Sequence, residues 1–156
     1  MERDVSDSEN RKLQLERRLF GTTLEAMQAR LRYDDRLAKM WHMLEQRYAE
    51  TDIDLETISN DIGMSKNNLN RLLGELTGLT MGKLLTAYRV YRSLCTGLEK
   101  NVTFTQLAFD HGFDNSSSYS RTVRRLLLGS PSRVLRRGSS YTREIELPSL
   151  DKEDQR

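Results

Sequence analysis

Four side chains in one short stretch, Lys66, Asn67, Asn70 and Arg71, carry hydrogen-bonding groups of the kind that recognise base edges. An asparagine amide sets a donor beside an acceptor and matches N6 and N7 of adenine. An arginine fork matches O6 and N7 of guanine, or grips a phosphate. About fifty residues on, Ser116, Ser117, Ser120 and Arg121 form a second such group. Serine hydroxyls donate and accept alike and discriminate bases poorly, so this group leans on Arg121 for readout. Ser65, Arg124, Arg125, Arg133, Arg136 and Arg137 suit phosphate instead; for the five arginines, counterion release rewards positive charge without strict geometry. Exposed asparagine and arginine are also ordinary helix surface, and Asn115-Ser116-Ser117-Ser118 reads equally as a capped helix start. The chemistry therefore needs a scaffold to support it.

Other chemistries find little support. His42 and His111 are the only histidines, and His111, just before a glycine, suits packing or capping better than general-base work. The serines lack the flanking glycines of a nucleophile elbow. Cys95 stands alone, which excludes an intrachain disulfide and a cysteine-based zinc site. No catalytic residue, metal or cofactor is expected. The opening Met1-Glu2-Arg3-Asp4 is charged and no long apolar run follows, so neither a signal peptide nor a membrane span is expected.

The net charge of +2 conceals a polarised chain. Lys100, Arg121, Arg124, Arg125, Arg133, Arg136, Arg137 and Arg143 face only Asp110 and Asp114 over that span, and the end swings acidic through Glu144, Glu146, Asp151, Glu153 and Asp154. A basic block in a near-neutral chain suits a polyanion such as double-stranded DNA.

Two prolines in 156 residues leave room for long helices, and an all-α fold is expected. Leu37, Met40, Trp41, Leu44 and Tyr48 recur at helical spacing from Asp34 to about Glu50, which makes Trp41 a core residue. Cap-type residues precede a short helix from Leu55 to Ile62. Ser59 then supplies a small residue where two helices cross, Gly63 a turn of positive φ, and Leu69 and Leu72 the returning apolar face: the layout of a helix-turn-helix. It occurs twice. Leu107, Ala108, Gly112 and Phe113 repeat Ile58, Ser59, Gly63 and Met64 at an offset of 49, and Tyr119, Arg121 and Val123 repeat Leu69, Arg71 and Leu73 at 50. One extra residue is expected near Asn115 to Ser117. Between the units a helix from Thr80 to about Leu98 would span roughly 28 Å and hold two recognition helices near the roughly 34 Å of one DNA turn.

Leu55-Glu56-Thr57-Ile58-Ser59, Gly63-Met64-Ser65, Leu69-Asn70-Arg71-Leu72-Leu73, Gly78-Leu79-Thr80 and Arg89, followed by Phe104-Thr105-Gln106-Leu107-Ala108, Gly112-Phe113, Tyr119-Ser120-Arg121, Ser130-Pro131 and Arg136, resemble the AraC/XylS DNA-binding domain from about Leu37 to Arg136. The resemblance implies seven helices in two helix-turn-helix subdomains that bind asymmetric sites near promoters and recruit RNA polymerase. Several positions depart from the pattern. Val123 stands for phenylalanine, Leu128 for glycine with Gly129 one place late, Ser93 for alanine, and Thr96-Gly97 for a leucine pair. These departures predict altered packing or looser DNA binding in the second subdomain. Neither a counterpart of the family's large N-terminal effector domain nor a small-molecule sensor is expected.

The expected organisation is a polar tail and helical arm over 1–33, a first helix-turn-helix subdomain over 34–79, a linker helix over 80–98, a second subdomain over 99–137 and a polar, disordered tail over 138–156. The first ten residues are also expected to be disordered. In the arm, Leu13, Phe20, Leu24, Met27 and Leu31 form a heptad-like stripe. It fits a coiled-coil homodimer arm or a helix docked on its own domain. The function expected is a sequence-specific transcription regulator, an activator in the bacterial cytoplasm associated with the nucleoid. The alternative is a helical adaptor or antagonist of another regulator with weakened DNA binding.

Overall fold

The computed structural model describes residues 2–137 and 143–145; for residues 2–7, 136, 137 and 143–145 it defines the backbone. Its core is helical. In chain order the helices are α1 (Glu2–Phe20), α2 (Leu24–Leu31), α3 (Asp35–Arg47), α4 (Leu55–Asp61), α5 (Lys66–Thr77), α6 (Met81–Glu99), α7 (Phe104–Asp110), α8 (Ser116–Leu127) and α9 (Pro131–Val134). Two three-residue strands, β1 (Leu135–Arg137) and β2 (Arg143–Ile145), pair antiparallel, with Leu135 opposite Ile145.

Most helix starts are dictated locally. Asp34, Asp54, Ser65, Thr80, Thr103, Asn115 and Ser130 each accept a backbone N–H from the first turn that follows. Each satisfies a donor that the helix itself leaves unpaired. Gly63 and Gly112 turn the chain at φ +73° and +89°, as both helix-turn-helix units require.

The duplication is in register to the residue. α4 and α7 align at an offset of 49 over their full length, and α5 and α8 at 50. The extra residue is Asp114, inserted between Phe113 and the cap Asn115, so it lengthens the turn and leaves α8 intact. Linker α6 runs through the centre, burying Leu84, Leu85, Tyr88, Val90, Tyr91 and Leu94 against both units. Trp41, 5% exposed, packs edge-on against Tyr88 at 5.1 Å between ring centroids.

The N-terminal segment departs from expectation. Helix α1 begins at Glu2, inside the ten residues expected to be disordered, because no proline or glycine interrupts 2–20 and its C-terminal half is docked. The chain then breaks at Gly21 (φ +74°), and Thr23 caps a separate α2. Phe20, Met27 and Leu31 are 3%, 0% and 1% exposed, and Leu15 and Leu19 join them in the single core. Leu13 and Leu24 are half-buried. These side chains are spent within one chain, so they do not form a coiled-coil seam between two. Helix α1 packs on α6 and α8. Lys12 Nζ pairs with Glu99 at 2.8 Å. The buried Glu16 carboxylate accepts the Leu24 N–H at 2.6 Å and the Tyr91 hydroxyl at 3.1 Å.

The C-terminal segment departs too. Residues 143–145 fall in the expected tail yet form β2, because Leu135, fully buried, anchors β1 as an edge on which they can pair.

Candidate nucleic-acid interface

Helix α5 buries Leu69 and Leu73 and half-buries Leu72 and Leu76. That orientation leaves Lys66, Asn67, Asn68, Arg71, Gly74 and Glu75 exposed. In α8, Tyr119, Val123 and Leu127 go inward while Ser117, Arg121, Arg124 and Arg125 are exposed. The same helical positions thus face out in both repeats.

Lys66, Asn67 and Arg71 therefore stand where the sequence placed them. Asn70 does not. It is half-buried, and its Oδ1 accepts the Met81 N–H at 2.9 Å, so the side chain satisfies the start of α6 instead of presenting its acceptor to a base. Successive helical residues point about 100° apart, so Asn70 faces away from Arg71 and lies about 60° from the buried Leu73. Glu75 is a further exposed member of this face. Its Oε1 accepts from Arg71 Nη1 at 3.2 Å, and the i,i+4 spacing was the available signal.

On the second unit, Ser116, Ser117, Ser120, Arg121 and Arg124 line one shallow depression. Ser116 and Ser120 are half-buried at its edge, while Ser117, Arg121 and Arg124 reach solvent. Arg125 and Arg133 are exposed nearby in sequence, and Ser65 is exposed with its hydroxyl accepting the Asn68 N–H. Arg136 and Arg137 lie on β1, and their side chains fall outside the described residues.

Two of the unusual positions in the second subdomain are compensated. Ser93 and Tyr119, both fully buried, meet hydroxyl to hydroxyl at 2.8 Å. Thr96 contacts His111 Nε2 at 3.2 Å, while His111 Nδ1 faces the Leu107 carbonyl at 2.8 Å. Burial pulls the His111 pKa below its ordinary value, opposed by the Leu107 carbonyl and Asp110. His111 is thus a buried packing residue. Leu128, by contrast, adopts φ +61° at the position where α5 ends on Gly78 at +77°, and bears the strain of the missing glycine.

The units are fixed to each other by Arg89 of α6. Its Nε donates to the Tyr48 carbonyl at 2.7 Å and its Nη2 to the Glu50 carbonyl at 2.6 Å, capping the end of α3. Gly112 of the second turn packs directly on the same group. Among the described residues no cluster of histidine, cysteine or acidic side chains could hold a metal, and no helix is long and apolar enough to cross a membrane.

Residues 58–137, just over half of the chain, match the model of a helix-turn-helix domain family. The chain is 30% identical over 105 residues to the HTH-type transcriptional activator RhaS of Enterobacter, covering 67% of this chain and 37% of that protein. It is 34% identical over 103 residues to the bifunctional transcriptional activator/DNA repair enzyme Ada of Escherichia coli, covering 66% and 28%. The chain thus spans about a third of the length of these relatives. Among solved structures, the C-terminal domain of AraT, a response regulator from Geobacillus stearothermophilus, superposes with a TM-score of 0.62 at 20% identity, over 70% of this chain and 92% of that one. An AraC-type regulator from Chromobacterium violaceum gives 0.58 at 21%, over 62% and 86%. The duplicated helix-turn-helix, the linker helix and these matches agree: the chain belongs to the AraC/XylS family of helix-turn-helix DNA-binding domains.

Proposed function

We propose that the protein is a sequence-specific transcription regulator, an activator, that inserts α5 and α8 into successive major-groove segments on one face of double-stranded DNA. The observation that carries this reading is the pairing of two exposed polar helix faces, equivalent by internal repeat, on one rigid linker. Lys66, Asn67, Arg71, Ser117 and Arg121 contact bases, with Ser116 and Ser120 at the edge of the contact. Ser65, Arg124, Arg125, Arg133, Arg136 and Arg137 hold phosphates. RhaS and Ada are named as transcriptional activators, and a bound activator would act by recruiting RNA polymerase in the cytoplasm.

The adaptor reading rested on a loosened second subdomain. The Ser93–Tyr119 and Thr96–His111 contacts remove much of that motive. The test is selection from a pool of random duplexes with the full chain, followed by affinity against salt. The expected result is enrichment of an asymmetric site whose affinity falls steeply with salt. A pool that stays random, with salt-independent retention, would overturn the proposal.

A further inference from the structure

The two recognition helices share a scaffold but not a surface. At four equivalent outward positions α5 carries Asn67, Arg71, Gly74 and Glu75, and α8 carries Ser117, Arg121, Arg124 and Arg125, all of them exposed. The formal charge is zero on the first set, from Arg71 and Glu75, and +3 on the second, from Arg121, Arg124 and Arg125. Where α8 adds a cation, α5 places a carboxylate 3.2 Å from its own arginine.

Stability does not account for that carboxylate. Both side chains are 60% exposed. Exposed pairs contribute little, and the order cation first, anion four residues later is the weaker one on a helix. Near a phosphate backbone the carboxylate is a cost, because it lowers affinity for every sequence alike. What it can return is discrimination. A guanidinium held by Glu75 is not free to swing to a phosphate, and the carboxylate oxygen left over accepts from the amino group of cytosine, which no phosphate offers.

We infer that Glu75 is a specificity-determining residue of α5: it keeps Arg71 on a guanine edge and selects a G·C pair, exchanging non-specific affinity for selectivity. The inference rests on the DNA-binding reading above. It assigns sequence choice to α5 and grip to α8, through side chains at the same position of one repeated module.

The experiment uses the full chain as wild type, Glu75→Gln, Arg71→Ala and the double variant. Each is measured on the duplex enriched by wild type and on a random-sequence duplex, and each is put through its own selection. Glu75→Gln keeps the shape and removes the charge. Its affinity for random DNA should rise, its ratio of specific to random affinity should fall about tenfold, and one G·C preference should vanish from the selected site. Once Arg71 is alanine, Glu75→Gln should change the preference less than it does beside Arg71, because only the cytosine contact is then left to lose. A Glu75→Gln variant with unchanged ratio and selected sequence overturns this inference and leaves DNA binding standing. A wild-type chain with no preference overturns the DNA-binding reading itself.

Discussion

Gly112 leaves no room for a side chain against Arg89: a Cβ there would stand 2.7 Å from the guanidinium Nε and 2.8 Å from the Tyr48 carbonyl oxygen. Gly63, its counterpart in the first repeat, has open space at the same point. Both have positive φ, so replacement by alanine carries backbone strain of about 1 kcal/mol at either site. Only Gly112→Ala adds overpacking, about 1 to 3 kcal/mol more. Denaturant unfolding of the two variants should therefore separate them clearly, with Gly112→Ala the less stable. Equal losses would mean that the contact with Arg89 is not tight.

Leu128 predicts a gain. It holds a left-handed conformation at the end of α8, and it does not join the apolar side chains packed on the core. Leu128→Gly should stabilise the protein by about 1 kcal/mol, read as a higher denaturation midpoint. A lower midpoint would show that the leucine side chain contributes more than its backbone costs.

Asn67 and Asn70 should behave as opposites. Asn70→Ala removes the acceptor for the Met81 N–H and should cost about 1 kcal/mol of stability with little change in base preference. Asn67→Ala should leave stability alone and cost about 1 to 3 kcal/mol on the preferred site. Thermal melts and competition binding on the same preparations distinguish them. The reverse pattern would restore Asn70 as a reader.

These contrasts show what was legible from residue types and spacing. Both helix-turn-helix units, the capped starts at Asp54 and Asn115, and the linker helix were readable, because small residue, glycine and apolar return are local requirements of the turn. The inward roll of Asn70 was not, because it depends on where α6 begins in space, eleven residues later. The docking of α1 and α2 was hidden for a related reason. An apolar stripe states that something covers it, not whether the cover is the same chain, and here α6 and α8 cover α1 while α3 and α5 cover α2. The β1–β2 pairing was missed because three-residue strands leave almost no periodicity.

The buried imidazole gives a pH prediction. Burial lowers the His111 pKa from its ordinary value near 6.5, so below that pH the unfolded chain binds protons more readily than the folded one. The contribution is fully present above about pH 6.5 and is lost as pH falls through the folded-state value. Stability measured from pH 8 to 5 should decline on the acid side, and His111→Gln should flatten that part of the decline. An identical slope in the variant would assign the acid loss to other groups.

We propose that α6 and the Arg89 clamp hold α5 and α8 at one fixed spacing for two major-groove segments on one face of the duplex. The most direct test is the affinity of the full chain for its selected site with five base pairs inserted between the two half-sites. Half a helical turn places the second groove segment on the opposite face. The structure predicts that affinity falls to the level of a single half-site, with α8 contributing nothing specific. Undiminished affinity for the lengthened site would contradict it.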